Sequence, residues 1–196
     1  MKLTRVQREV LIGTLLGDGY LEKQGRNVRF RVAHSEIQKS YLFWKYKIFR
    51  PLLTNSSPYL VKKKDNRTQR EYRKWCIDSF TLPIFLEWYE KFYFQGKKRV
   101  SPEIKSLMKS PLSLAVWYMD DGGRRNDCNA LRISVNSYEK NEVILLLEVL
   151  KENFGVKAKM HFQKLSSVIY IPSSEAKKFC KIIKKWIIPS MEYKLI

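Results

Sequence analysis

Cysteine, histidine and long apolar runs are all scarce in this 196-residue sequence. Its three cysteines, Cys76, Cys128 and Cys180, lie far apart, and no Cys-x-x-Cys pair occurs. We therefore expect neither a disulfide framework nor a structural zinc site, and the composition fits a reducing compartment. No apolar run approaches the roughly 18 residues that a membrane-spanning helix needs. The first residues show no secretion signal, so we expect a protein that neither spans a membrane nor is secreted.

Acidic residues are in the minority. The sequence has 38 Lys and Arg against 19 Asp and Glu, which gives a formal net charge of +19. A field of this size favours a polyanionic partner, either nucleic acid or an anionic membrane surface; the alternative is a basic surface that only maintains solubility. Because 44% of the residues are hydrophobic, the chain can form one large domain or two small ones, and wholesale disorder is excluded.

The sequence contains two copies of one unit. Residues 11–19 and 114–122 are apolar segments that both end in Asp-Gly, and they lie 103 residues apart. The same spacing carries residues 28–32 onto residues 131–135, with apolar side chains at matching positions. Two matches in one register indicate an internal duplication, so we expect two halves of similar fold.

Helix and strand signals follow the same order in both copies. A capping-box pattern at Thr4 and Gln7 predicts a helix over residues 5–16, and an N-cap serine followed by Pro111 predicts another over residues 111–119. Further helices are predicted at residues 35–49, 139–154 and 175–187, and strands at 28–32, 59–64, 72–77, 131–135, 156–163 and 168–171.

Each half is thus predicted to run helix, hairpin, helix, hairpin, helix, which is an α+β fold. Residues 1–96 form the N-terminal half, residues 97–110 a basic linker broken by proline, and residues 111–196 the C-terminal half.

The outward positions of the predicted strands are rich in Arg, Lys, His, Asn and Gln, the side chains that reach base edges and phosphates. A twisted antiparallel sheet can follow the major groove of DNA. The alternative is a basic face that only keeps the protein in solution. A second basic cluster, at residues 62–64, 67, 70 and 73, is assigned to phosphate contacts or to loops over DNA, and Arg124 and Arg125 fit either role. The candidate DNA-binding residues are Arg29, Arg31, Lys62, Lys64, Arg70, Arg73, Arg124, Arg125, Arg132, Ser134, Asn136, Lys157, Lys159, His161 and Gln163.

The two Asp-Gly helix ends are the candidate chemical site. Gly13 and Gly17 permit a close approach of the first helix to a partner helix. If that partner is the second copy, Asp18 and Asp121 meet at the ends of the pair. Carboxylates at a helix C-terminus are unfavourable without a cation, and a divalent metal held there could activate water for phosphodiester hydrolysis. The alternative is an ordinary Asp-Gly turn before a hairpin.

Leu-Ile-Gly-Thr-Leu-Leu-Gly-Asp-Gly and Leu-Ala-Val-Trp-Tyr-Met-Asp-Asp-Gly resemble the signature of the LAGLIDADG homing endonucleases, in their single-chain, two-motif form. The stretch at residues 111–123 and the tail at residues 188–195 are similar to those of the intron-encoded, mitochondrial-type branch. The resemblance implies two αββαββα halves whose sheets form a saddle over DNA. It also implies a monomer that cuts a long, asymmetric double-stranded site, leaves short 3′ overhangs and promotes intron mobility.

The family likeness also assigns roles to residues. It implies that Asp18 and Asp121 bind the metals, with the main-chain carbonyls of Gly17 and Asp120 completing coordination; we expect the main chain of Asp120 to matter more than its carboxylate. It implies Mg²⁺ as cofactor, Mn²⁺ as a substitute, and Ca²⁺ binding without cleavage. Basic residues near the two sites would be Lys98, with Lys97 or Arg99 as alternatives, and Lys194.

The chain departs from the family pattern at Val116 and Trp117, which are bulky and predict looser packing of the second helix. Two rival functions remain open: an RNA maturase that binds intron RNA on the same scaffold, and a transcription regulator that only binds DNA. The composition fits an organelle or a bacterial cytoplasm.

Overall fold

The computed structural model describes residues 2–163 and 166–196; for residues 162, 163 and 166 it describes the backbone alone. The N-terminal half comprises α1 (Arg5–Leu16), β1 (Tyr20–Gln24), β2 (Asn27–Ser35), α2 (Lys39–Phe49), β3 (Tyr59–Lys64), β4 (Glu71–Asp78) and α3 (Pro83–Phe92). A connecting segment carries β5 (Tyr93–Phe94), β6 (Lys97–Lys98) and α4 (Ile104–Leu107). The C-terminal half comprises α5 (Pro111–Asp121), β7 (Gly122–Arg124), β8 (Leu131–Ser134), α6 (Lys140–Phe154), β9 (Lys159–Gln163), β10 (Ser166–Ile171) and α7 (Ser173–Ile183).

Each half contains one four-stranded antiparallel sheet. The strand orders are β1-β2-β4-β3 in the first half and β7-β8-β10-β9 in the second, and β5 pairs with β6 in a short separate ribbon. The predicted α+β fold with two αββαββα halves is confirmed. Both sheets begin directly after a motif helix, so the helix ends lie beside the first strand of each sheet.

The core lies between the sheets and the helices. On β2 the side chains of Val28, Phe30 and Val32 are buried, as their alternation predicts. The ring centroid of Phe30 lies 5.0 Å from that of Phe49 on α2 and 6.0 Å from that of Phe85 on α3. Burial of one such ring contributes roughly 1.5–3 kcal/mol, so these aromatic contacts hold both helices against the inner face of the sheet.

The two motif helices, α1 and α5, pack directly against each other. A Cβ atom placed on Gly13 would lie 2.4 Å from the Ser113 carbonyl oxygen and 2.7 Å from the Val116 Cβ. The expectation of looser packing at Val116 and Trp117 is therefore wrong. The missing side chain of Gly13 leaves room for Val116, and Trp117 is completely buried without separating the helices.

Several element boundaries differ from the sequence prediction. The α5 helix continues two residues further, to Asp121, because the Gly122 amide still donates to the Tyr118 carbonyl. The strand predicted from residue 156 begins only at Lys159. The strand starts late because Gly155 and Val156 end α6: Gly155 adopts a left-handed conformation at φ 65°, and the Val156 amide donates to the Leu150 carbonyl of that helix.

Two predicted helices are also shorter than expected. A 3₁₀ turn over Glu36–Gln38 precedes α2, and another over Lys184–Trp186 follows α7. In the part of the chain that the structure describes, no helix has the length and apolar character needed to cross a membrane.

Candidate active site and nucleic-acid interface

The α1 and α5 helices end differently, although their motifs are equivalent. Gly17 caps α1 with backbone angles of φ −105° and ψ −128°, so Asp18 lies beyond the helix. Asp121 is instead the last helical residue of α5. A Cβ on Gly122 would lie 2.1 Å from the Tyr118 ring, which explains why glycine follows this aspartate. The two aspartates therefore reach the end of the helix pair from different backbone conformations.

Asp18 and Asp121 lie close enough to influence each other. Burial, followed by the negative charges of Asp18 and Asp120, raises the pKa of Asp121 to about 7. Burial opposes ionisation of Asp18 as well, but His34 and the lysines of the site outweigh it and lower the pKa of that carboxyl. The site thus concentrates acidic groups where the helix dipoles already favour positive charge.

Two lysines lie on the carbonyls at these helix ends. The Lys98 Nζ donates to the Gly17 oxygen at 2.6 Å and to the Gly19 oxygen at 2.9 Å. The Lys194 Nζ donates to the Met119 oxygen and, at 3.3 Å, to the Asp120 oxygen. Burial lowers the pKa of both ammonium groups, and the nearby carboxylates oppose that shift.

Of the three basic residues that the family likeness left open at the first site, Lys98 is the one that lies there. The Arg99 guanidinium points elsewhere and binds Glu139 and Glu142 on the C-terminal half, each at 3.0 Å. The side chain of Lys97 is exposed. The β5–β6 ribbon of the connecting segment therefore places the Lys98 side chain at the end of α1.

Sequence reasoning missed three groups at this site. The Asp120 carboxylate, expected to matter less than its main chain, is completely buried and lies 2.8 and 3.0 Å from the Nζ of Lys45 on α2. His34 is also buried, with its Nδ1 3.3 Å from an Asp18 oxygen. One signal could have revealed Lys45, because it lies between Tyr41 and Phe49 on the apolar stripe of its helix.

The acidic groups of the site could hold a metal ion. Ligand atoms of Asp18, His34 and Asp120 lie within 4.8 Å of one another. Carboxylates and main-chain carbonyls suit hard divalent cations such as Mg²⁺. Because Lys45 already neutralises Asp120, the carboxylates of Asp18 and Asp121 are the better candidates for a bound cation.

On the first sheet the register separates the predicted DNA-binding residues into two faces. Arg29 and Arg31 lie on the outer face, where both bind Glu22 and Arg31 also binds Asp78. Paired residues share a face in an antiparallel sheet. The pairing of β4 with β2 and β3 therefore places Lys63 and Lys74 with these arginines.

Three residues of the basic cluster that the sequence assigns to phosphate contacts or to loops over DNA lie on the opposite face of this sheet. Lys62, Lys64 and Arg73 belong to the core-side face, at the end of the β3–β4 hairpin where the strands extend past the core and all three side chains are exposed. Arg73 also binds Glu71. Arg70 is exposed in the loop that joins β3 and β4. These side chains are exposed and free to contact phosphates, whereas the outer face of the sheet carries Arg29, Arg31, Lys63 and Lys74.

The second sheet agrees better with the sequence pattern. Its register places Arg132, Ser134, Lys159 and His161 on one face together with Tyr170. The His161 ring stacks on the Tyr170 ring at a centroid distance of 4.5 Å and an interplanar angle of 12°. Arg132 has no ion pair among the described residues and is exposed. This face presents a cation and a stacked aromatic pair to solvent.

The remaining candidates in this half lie off that face. Arg124 pairs with Leu131 and so belongs to the core-side face, although its side chain is exposed. Arg125 binds Asp127 beyond the strand. Asn136 and Lys157 lie outside the strands, and the Asn136 Oδ1 accepts from the Ser167 amide at 2.9 Å. The side chain of Gln163 falls outside the described part of the chain.

Comparison with known proteins identifies the family. The model of the LAGLIDADG DNA endonuclease family matches residues 8–179. The chain is 29% identical over 211 residues to the DNA endonuclease I-ChuI of Chlamydomonas applanata, covering all of this chain and 96% of the relative. The solved structure of the homing endonuclease I-WcaI bound to its DNA recognition sequence is similar at a TM-score of 0.92, with 28% identity over all of this chain and 88% of that one.

A third relative is a maturase. The cytochrome b mRNA maturase bI2 of Debaryomyces hansenii is 30% identical over 202 residues, which cover 98% of this chain and 74% of the relative. The match of the family model extends through both motifs and both sheets. This chain therefore belongs to the LAGLIDADG DNA endonuclease family.

Proposed function

We propose that this protein is a monomeric homing endonuclease that hydrolyses both strands of a long, asymmetric double-stranded DNA site. The observation that carries the proposal is the convergence of Asp18 and Asp121 at one end of the α1–α5 pair. Lys98 and Lys194 lie on the carbonyls beside them. A site that brings lysines and carboxylates together suits a phosphodiester, whose developing charge needs both cations and a positioned nucleophile.

Mg²⁺ is the proposed cofactor, with Mn²⁺ as a substitute and Ca²⁺ as an ion that binds without supporting cleavage. The carboxylates of Asp18 and Asp121 would hold it, together with the main-chain oxygens of Gly17 and Asp120. The donor set fits this role, because burial, and after it the charges of Asp18 and Asp120, raise the pKa of Asp121 more than the neighbouring lysines lower it, so the site favours an added cation. When bound, the ion supplies Lewis-acid stabilisation of the phosphate and a more acidic water.

The outer sheet faces are the proposed DNA-reading surfaces. Arg132 and the His161–Tyr170 pair offer a guanidinium and a stacked ring in the second half, whereas Arg29 and Arg31 in the first half are held by carboxylates. Because the two faces differ in this way, we propose that the two halves read different sequences. By family likeness, the product carries short 3′ overhangs and the reaction promotes intron mobility in an organelle or a bacterial cytoplasm.

A plasmid that carries the intron-insertion sequence tests this function. Incubation with Mg²⁺ should linearise it, and EDTA should prevent the cut. Asp18→Asn and Asp121→Asn should retain DNA binding measured in Ca²⁺ but lose double-strand cleavage, because each substitution removes one anionic metal ligand. Wild-type cutting rates in either variant would refute the assignment of the two aspartates.

An RNA maturase is the second candidate function. It is supported by the similarity to the cytochrome b mRNA maturase bI2 over nearly the whole chain. A splicing assay with the host intron RNA would test it in the Asp18→Asn variant. Faster splicing in the presence of a variant that does not cut DNA would show an activity independent of the nuclease site.

A further inference from the structure

The two halves of the candidate site are chemically unequal at one pair of positions. The repeat aligns Gly17 with Asp120, so only the second motif carries a carboxylate there. A Cβ on Gly17 would lie 2.4 Å from the Asp120 Cβ, which shows how closely the two motif segments approach each other. From this position the Asp120 Oδ2 accepts a hydrogen bond from the Asp18 amide at 3.1 Å. Asp120 of the second half therefore holds the backbone of Asp18 in the first half.

A buried lysine fixes this carboxylate in turn. The Lys45 side chain is completely excluded from solvent, and its Nζ bonds to both Asp120 oxygens. The same ammonium lies 4.4 Å from the centroid of the Tyr41 ring, and the Tyr41 hydroxyl donates to the Val116 carbonyl. These contacts anchor α2 of the first half to α5 of the second, immediately behind Asp18.

His34 lies beside the carboxylates of both Asp18 and Asp120. Its Nδ1 lies 3.3 Å from an Asp18 carboxylate oxygen, and its Nε2 lies 3.9 Å from an Asp120 oxygen. Asp18 is therefore supported through its amide by Asp120 and flanked at its carboxylate by His34. Asp121 has no counterpart of this arrangement, since the first motif carries Gly17 where the second carries Asp120.

Stability alone is a weak reason for such a pair. Burying two charges costs desolvation energy that their attraction often fails to recover, and apolar residues of similar size are frequently as stable. Buried, hydrogen-bonded charges do fix geometry, however, and geometry at a reacting centre affects rates steeply. A metal ion at Asp120 is disfavoured as well, because Lys45 already occupies both of its oxygens.

We propose that Lys45 is a positioning residue that fixes, through Asp120, the geometry of Asp18 and not that of Asp121. The inference rests on the proposed endonuclease function. If each motif aspartate serves one strand of the DNA, then loss of the Lys45–Asp120 pair slows the cut of one strand and spares the other. The protein becomes a nicking enzyme without any change in the residues that read DNA.

The strand-specific test compares two double variants, because Lys45→Met alone leaves a buried carboxylate unpaired. Lys45→Met with Asp120→Leu removes both charges and also the acceptor of the Asp18 amide. Lys45→Met with Asp120→Asn removes the charges but keeps an acceptor oxygen. On a supercoiled plasmid and on duplexes labelled on either strand, the leucine variant should change the ratio of the two strand-cutting rates by at least about tenfold and accumulate nicked circles. The asparagine variant should bring that ratio back to within about threefold of the wild-type value.

Two controls separate positioning from general destabilisation. Phe49→Leu removes packing from the buried end of the same helix and should leave the ratio of strand-cutting rates unchanged even if stability falls. Lys91→Met makes the same chemical change at a surface ion pair with Glu103 and should behave as wild type. Equal slowing of both strands in the leucine variant would overturn the proposal.

A second measurement needs neither metal, DNA nor activity. Amide hydrogen exchange in the free protein should show that the Asp18 amide loses protection in the leucine variant and regains at least part of it in the asparagine variant. The Leu15 amide, inside α1, should keep its protection in both. If the wild-type protein does not cut DNA, the endonuclease proposal fails while this measurement still tests the support of Asp18; equal exchange at Asp18 in all forms would refute that support.

Discussion

Replacing Gly13 by alanine adds one methyl group at the closest point of the α1–α5 pair. The new Cβ would lie 2.4 Å from the Ser113 carbonyl oxygen, whereas ordinary van der Waals contacts begin at 3.4 Å. The helices must therefore separate locally by about 1 Å, because the obstacle is backbone and cannot rotate away. Since Asp18 lies just beyond α1 and Asp121 is the last residue of α5, the separation of the two aspartates should change as well.

Two energies oppose each other in this variant. Overpacking a tight core costs typically 1–3 kcal/mol, while alanine gains about 1 kcal/mol over glycine in a helix interior. The expected net loss is thus about 0–2 kcal/mol in the free energy of unfolding. Displacement of reacting groups by 1 Å can cost on the order of 100-fold in rate. Activity should therefore fall far more than stability.

Urea unfolding and plasmid linearisation measure the two effects, and DNA binding in Ca²⁺ checks that recognition is retained. Gly123→Ala is the matched control for stability, because a Cβ there meets nothing within 4 Å; its unfolding midpoint should equal that of the wild type. Gly13→Ala protein that cuts at the wild-type rate would show that the close helix contact does not set the geometry of the site.

Three further outcomes are expected. Tyr138→Phe should lower the free energy of unfolding by about 1–2 kcal/mol, because the hydroxyl donates to the buried Leu16 carbonyl at 2.8 Å; an unchanged urea midpoint would contradict this. Arg132→Ala should reduce discrimination at particular base pairs by about 1–3 kcal/mol, and Arg29→Ala should reduce it by less, because Glu22 holds the Arg29 guanidinium. Competition binding across altered targets measures both losses, and a larger loss for Arg29→Ala would contradict the reasoning. DNA affinity should fall linearly on a log–log plot against salt, and a flat plot would exclude phosphate contacts as the main source of affinity.

Local signals in the sequence predicted much of the fold. The bounds of α1 follow from its capping box, in which Thr4 and Gln7 bond reciprocally, and from a glycine at its end. The burial of Val28, Phe30 and Val32 follows from strict alternation. These features depend on neighbours within a few residues, so the order of residues along the chain is sufficient to specify them.

The remainder depends on contacts between distant residues. Lys45 and Asp120 are 75 residues apart. Because lysine is almost never fully buried unless it is paired, a lysine on an apolar stripe indicates a buried partner but does not identify it. The face occupied by Lys62 and Lys64 depends on how β3 pairs with β4 and β4 with β2. A shift of one residue in either pairing would reverse it. Alternation within β3 alone does not contain that information.

The Lys45–Asp120 pair also limits how the chain can be divided. A homodimer assembled from two N-terminal halves would place Gly17 opposite each Lys45, and two lysines would be enclosed without an acid. An uncompensated charge of that kind costs about 3–5 kcal/mol, a large fraction of the stability of a small domain. Each half therefore needs the charged partner that the other half supplies. An engineered fusion that replaces the C-terminal half by a foreign one would have to supply an acidic residue at the position of Asp120.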